Sequence, residues 1–223
     1  MAHVQNHGSG KRKHSEFMLI QKQSSSQPSF SVTSSHPKIY TVGHGTRTVS
    51  ALLNLLQTAG VTKLVDVRSV PRSFTNPQFN HNVLISSTEL REVDVEYVWL
   101  GDKLGGFRSA RKLNVEQHTA IRVAAFRNYA AYMSTSAFRE GLEQLKALVE
   151  KHQSSGSGAV AIMCSETLWW RCHRRMIADA LVVRGWNVQH LGIRKEGPME
   201  HVLWEIARVD DSGNLIYDAK SQR

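Results

Sequence analysis

Cys164-Ser165-Glu166 and Cys172-His173-Arg174-Arg175 fall within twelve residues of one another. Two thiols, a carboxylate, an imidazole and two guanidiniums supply nucleophile, proton carrier and anion-binding group in one short segment. Cys164 is the expected nucleophile, its thiolate favoured by the N-terminus of a helix starting near Trp169 or Trp170. Glu166 and His173 are the expected acid–base pair, since an imidazole titrates near neutral pH. Other chemistries fit the same residues. The thiols can form a dithiol couple with Cys172 as the resolving partner. His44 and His173 can complete a metal site, although Cys-x7-Cys is not a standard knuckle spacing, and no metal ligand is assigned from the pattern. Cys172 also fits a plain core role, on one helical stripe with Met176 and Ala180. A Cys-x5-Arg phosphatase loop is excluded, because Trp170 occupies the arginine position and Arg171 follows it.

Three further clusters offer partners. In Thr41-Val42-Gly43-His44-Gly45-Thr46, Gly43 and Gly45 let backbone N–H groups approach an anion, and His44 is a candidate site residue. The spacing from Gly43 to Asp66 invites a dinucleotide reading, but Thr48 stands where a third small residue belongs. Asp66-Val67-Arg68 with Pro71-Arg72-Ser73 reads as an ion pair, or as a fork of Arg68 and Arg72 for phosphate or carboxylate that Asp66 orients. Leu104-Gly105-Gly106-Phe107-Arg108 is a tight or mobile loop from which Arg108 can reach a pocket. Trp169-Trp170-Arg171 reads either as a base-stacking platform or as a core plug.

Stepping outward, these groups need a scaffold that gathers loop residues. Ile39–Val42, Lys63–Val67, Ala159–Met163 and Trp186–Leu191 read as buried strands, and alternation over Val93, Val95, Tyr97 and Trp99 as a strand nearer an edge. Val49, Leu52, Leu53 and Leu56 mark a helix ending near Gly60; residues 116–133, 136–151 and 171–184 read as further helices. Alternating strands and helices imply an α/β fold: a single open, mainly parallel, doubly wound sheet flanked by helices. Val209 to Tyr217 reads as a C-terminal hairpin. Reactive groups at the carboxyl ends of such strands sit where open sheets place ligands.

Composition bounds the class. A hydrophobic share of 41% in 223 residues suits one globular domain with a tail. Residues 1–37 are expected to be a disordered, basic, Ser-rich tail, with residues 38–220 as the α/β domain. The net charge of +9 favours anionic partners, though residues 1–38 carry four of those charges. No apolar run approaches membrane-spanning length or a secretory signal, and two cysteines suit a reducing compartment. A cytoplasmic protein is expected, with Lys11-Arg12-Lys13-His14 as a candidate nuclear-import patch.

Taken in order, several motifs together resemble the domain of unknown function 488 family. They are Thr41 to Gly45, Asp66-Val67-Arg68, Pro71-Arg72-Ser73, Phe79, Leu104-Gly105-Gly106, Phe126-Arg127-Asn128-Tyr129, Met133, Cys164-Ser165-Glu166 and Cys172-His173-Arg174. The likeness runs from about Ile39 to His201. It implies a compact cytosolic α/β domain and says little about a reaction. The loop Trp169-Trp170-Arg171 departs from the polar, Pro-containing loop of family members, which puts any carried-over substrate in doubt.

The combined expectation is an enzyme acting on an anionic, nucleotide- or nucleic-acid-like substrate. Cys164, Glu166, His173 and His44 are its expected catalytic residues, and Gly43, Gly45, Asp66, Arg68, Arg72, Arg108 and Arg174 its binding residues. A non-catalytic nucleic-acid-binding module and a metal-dependent hydrolase are the alternatives. The cofactor and oligomeric state are left unassigned, and no membrane partner is expected.

Overall fold

The structure is a computed structural model that describes residues 37–218. The expected tail over residues 1–37 therefore lies, but for its last residue, outside the described residues. Short apolar runs form strands β1 (Lys38–Gly43), β2 (Val61–Asp66), β3 (Glu96–Trp99), β4 (Ala159–Cys164) and β5 (Asn187–His190), which pair in parallel. β6 (Met199–Glu200) adds antiparallel to β5, giving the order β3-β2-β4-β1-β5-β6. β7 (Ala207–Val209) and β8 (Leu215–Tyr217) form the separate hairpin.

Helix α1 (Val49–Thr58) follows β1. Short helices α2 (His81–Leu84) and α3 (Thr88–Glu92) link β2 to β3, and α4 (Gly101–Leu104), α5 (Ala124–Tyr132) and α6 (Ser136–Ser154) link β3 to β4. Helix α7 (Arg174–Val182) links β4 to β5. The strand alternation divides the core in two. Tyr40, Val42, Leu64 and Met163 face Leu52, Leu53 and Leu56 of α1, while Ile39, Val65, Ile162 and Cys164 face α5, α6 and α7. Helices thus cover both faces. Burial of the three α1 leucines is worth roughly 2 kcal/mol each, and Thr48 caps that helix by accepting the Ala51 N–H at 3.2 Å.

This winding places the site. β1 delivers its chain to one face and the neighbouring β4 delivers its chain to the other, so a crevice opens at their carboxyl ends. No helix among the described residues is long and apolar enough to cross a membrane.

Several boundaries differ from expectation. The helix expected over 116–133 is regular only from Ala124. Upstream, the Ala120 N–H donates to the Tyr217 carbonyl at 3.0 Å, and Tyr217 N–H donates to His118 Nδ1 at 3.3 Å. Docking on the hairpin has displaced local helix formation. The strand expected from Val93 starts at Glu96, because Asp94 turns with φ 55° and Val95 N–H bonds back to Leu90. The helix expected from Arg171 starts at Arg174, after a short 3-10 turn over Trp169–Arg171 and an extended Cys172.

Burial brings the His118 imidazole down from 6.5 to about 4 against the pull of Asp218, and burial brings His44 down to about 4 likewise. Unfolding therefore takes up protons between these values. The stability held by each site is intact above pH 6.5 and lost as pH falls towards 4. Urea titrations across that window should show unfolding free energy dropping by on the order of 3 kcal/mol per site. His118→Gln should remove one site's share of that slope; a flat profile in the parent protein contradicts the assignment.

Candidate active site

The register brings three loops together: Gly43 pairs with Cys164, and Asp66 with Met163. The chain leaving β4 folds back over the end of β1. His44 N–H donates to Cys164 O at 3.0 Å and Gly45 N–H to Ser165 O at 2.8 Å. A Cβ on Gly43 would lie 1.9 Å from the Glu166 carbonyl oxygen, and one on Gly45 would lie 2.1 Å from Thr167 Oγ1. Gly43 is accounted for by this crossing of backbone on backbone, and Gly45 by its φ of 52° and its contact with the Thr167 side chain. The amides of His44 and Gly45 serve the loop and do not face a ligand, which corrects the expected anion cradle.

The crossing aims two sulfurs at one imidazole. His173 Nε2–H donates to Val67 O at 2.9 Å, leaving Nδ1 with a lone pair. That nitrogen lies 3.9 Å from Cys164 Sγ and 3.7 Å from Cys172 Sγ. Tyr129 packs edge-on against the ring, and a Cβ on Gly106 would come 2.6 Å from Nδ1. The ligand atoms of Cys164, Cys172 and His173 all lie within 4.8 Å of one another, so among the described residues this trio is the group that could hold a metal. His44, the other histidine weighed for such a site, is tied up elsewhere.

The sulfurs differ. A hydrogen bond to Cys172, together with burial, pushes the Cys164 thiol up to about 12. Burial also pushes Cys172 up, but the Cys164 S–H and the Arg174 charge outweigh it and bring Cys172 down to about 6. The helix N-terminus expected beside Cys164 stands beside Cys172, since α7 begins at Arg174. Both shifts favour negative charge on Cys172 over Cys164, the expected thiolate.

Arg174 is 1% exposed and lies under the loop. Its Nε donates to Cys172 Sγ at 3.4 Å, Nη1 to Thr41 Oγ1 at 3.4 Å, and Nη2 to the carbonyls of Glu166 and Thr167. From Thr41 the polar chain continues inward: Oγ1 to His190 Nδ1 at 2.7 Å, His190 Nε2 to His201 Nδ1 at 3.0 Å, and His201 Nε2 to Asp179 Oδ1 at 2.8 Å. Each link has one donor and one acceptor in a single consistent direction, from guanidinium to carboxylate. Trp169 stacks on His190 at 4.2 Å, so it is a core plug; Trp170 is 39% exposed.

Asp66 and Arg68 form a buried ion pair, with Tyr97 Oη donating to the same carboxylate at 2.7 Å. Arg68 also donates to Phe79 O and to His44 Nε2, while His44 Nδ1 bonds Gly45 O and its ring stacks on Phe79. His44 is thereby fixed as a neutral strut in the α1 layer. It does not line the cavity.

That cavity, about 360 Å³, is floored by Cys164, Cys172 and His173. Arg68, Arg72, Arg171, Glu166, Ser69, Ser73 and Ser165 surround it, with Phe107 and Phe126 as apolar walls. Arg108 is absent from the lining: it donates to Gly101 and Asp102 carbonyls and stacks over Tyr132 at 4.1 Å. Arg171, Ser165 and Phe126 line the cavity unforeseen. A count along a 3-10 turn would have brought Arg171 round; Phe126 lay inside a motif already noted.

The family model for Domain of unknown function DUF488 matches residues 48–181. No curated protein and no solved structure matches the chain.

Two substitutions test the scaffold. Asp66→Asn leaves the buried Arg68 charge without its counter-ion and should cost about 3–5 kcal/mol in denaturant unfolding. Gly43→Ala forces the Glu166–Thr167 backbone aside and should destabilise by about 1–3 kcal/mol or more. A neutral Gly43→Ala result would show that the loop does not cross β1 as described.

Proposed function

Since the chain belongs to the family described as Domain of unknown function DUF488, a description without a reaction, the pocket is the guide to its chemistry, and we propose that it is an enzyme acting on an anionic substrate of the nucleotide or nucleic-acid-like class. One observation carries this reading: a reactive sulfur–imidazole floor opens into a cavity whose rim carries Arg72 and Arg171. Neither arginine forms a salt bridge with another described residue, whereas Arg68 is neutralised by Asp66. Two such guanidiniums suit phosphate, which they bind by paired N–H donors.

Size and shape agree. A cavity of about 360 Å³ accepts a ligand of nucleotide dimensions. Phe107, 84% exposed, offers a flat face at the mouth for a base, and Phe74, 86% exposed, carries the Arg72 guanidinium over its ring. Glu166, exposed at the rim, is placed to exchange protons with a substrate. Of the two sulfurs, Cys172 is the one held beside the Arg174 cation, so activity should depend on it more than on Cys164.

Binding is measured by thermal shift with nucleoside mono- and diphosphates and with short single-stranded oligonucleotides. Parent protein should gain several degrees, and the Arg72→Ala/Arg171→Ala double variant should lose most of that gain while unfolding normally without ligand. No stabilisation by any phosphate-bearing compound overturns the reading. Oligonucleotide binding with a steep salt slope and no turnover would instead identify a binding module.

A further inference from the structure

We propose that Cys164, Cys172 and His173 form the ligand set of a divalent transition metal of the zinc class, with the fourth coordination position open to the cavity. The ligand set stands on its own geometry; the role of the open position rests on the reading of the cavity as a substrate pocket.

Distances carry the inference first. With metal–sulfur bonds of about 2.3 Å and metal–nitrogen bonds of about 2.0 Å, a tetrahedral site has sulfur–nitrogen edges of about 3.6 Å. The two edges here are 3.7 and 3.9 Å. An ion can enter with shifts of a few tenths of an ångström. These separations are long for strong hydrogen bonds and match two edges of a coordination tetrahedron.

Orientation carries it second. A ligating histidine usually donates its other ring N–H to a carbonyl or carboxylate, which fixes the tautomer and aims the lone pair. His173 does this through Val67 O, and Tyr129 holds the ring edge-on. The remaining nitrogen, Nδ1, lies within 3.9 Å of both sulfurs. A cysteine pair destined only for a disulfide has no need of that third donor.

Charge and access agree. Two thiolates cancel a divalent charge, so the occupied floor is neutral and Arg174 keeps its link through Thr41 and the histidines to Asp179. Arg174 Nε lies against Cys172 Sγ, an outer hydrogen bond of the kind that supports metal thiolates. Thiolate and imidazole donors select zinc, or iron and cobalt in its place, over magnesium or calcium. Three protein ligands with an open position mark catalytic zinc sites, where the ion polarises a substrate oxygen or activates water. All three residues line the cavity.

The test titrates the full chain, purified under reducing conditions and stripped with chelator, with Zn²⁺ and Co²⁺ alone. One ion should bind per chain. The cobalt form should show thiolate charge-transfer absorption and the visible bands of four-coordinate Co²⁺. Cys164→Ser, Cys172→Ser and His173→Ala should each weaken binding more than ~100-fold, and Arg72→Ala should not. Should the ligand variants misfold, alkylation of the parent protein decides: bound Zn²⁺ should protect both cysteines together. Absence of binding and of protection overturns the metal centre. If phosphate compounds still stabilise the protein through Arg72 and Arg171, the pocket reading survives that result. Inorganic phosphate should alter the visible cobalt spectrum; bound cobalt blind to phosphate overturns the open fourth position while leaving the ligand set.

Discussion

The site depends on a single buried cation. Arg174 lies beneath the loop between Cys164 and Cys172, and its donors reach a sulfur, a hydroxyl and two carbonyls on separate stretches of chain. A charge so enclosed is costly to bury unless each donor is met and an anion lies within reach. Those requirements fix the loop. Glu166 and Thr167 must present carbonyls to it, which draws their backbone across β1, and only a residue without a side chain can stand at Gly43 beneath them. Cys172 must lie alongside, which sets it before α7 and beside His173. The sulfur–imidazole floor is what remains when these demands are satisfied together.

Arginine has two distinct uses around the pocket. Arg68 and Arg174 are 5% and 1% exposed and act as structural crosslinks, each with its own carboxylate, direct in Asp66 and relayed in Asp179. Arg72 and Arg171 are exposed and form no ion pair with another described residue. The residue type alone does not separate these roles. What separates them is position: Arg68 lies two residues past Asp66, the end of buried β2, whereas Arg72 lies beyond Pro71 in an irregular segment.

The architecture was legible because its signals are local. Apolar runs over β1, β2 and β4 and period-3.6 patterns over α1 and α6 need no tertiary knowledge, and alternating them leaves few topologies open. The convergence of Cys164, Cys172, His173 and Arg68 followed from the same rule of parallel sheets. Three features were not legible. Residues 116–123 lost their helix to pairing with β8, a contact nearly a hundred residues distant in sequence. Arg108 turned from the pocket towards carbonyls of α4, a four-residue helix too short to mark itself. The roles of Cys164 and Cys172 depended on where α7 begins, and a shift of three residues moved its N-terminus from one sulfur to the other. Such outcomes are decided by long-range contacts or by boundaries, where local patterns are weakest.

The polar chain from Arg174 to Asp179 looks like a path for protons, yet its chemistry forbids that use. A Grotthuss wire must shed a proton at one end and accept one at the other, then rotate every member to reset. Here the first member is a guanidinium, which does not deprotonate in proteins, and Trp169 stacks on the His190 ring and packs edge-on against His201. Aligned dipoles that never turn over act as an electrostatic spacer. They let a cation and its balancing anion sit layers apart in the interior.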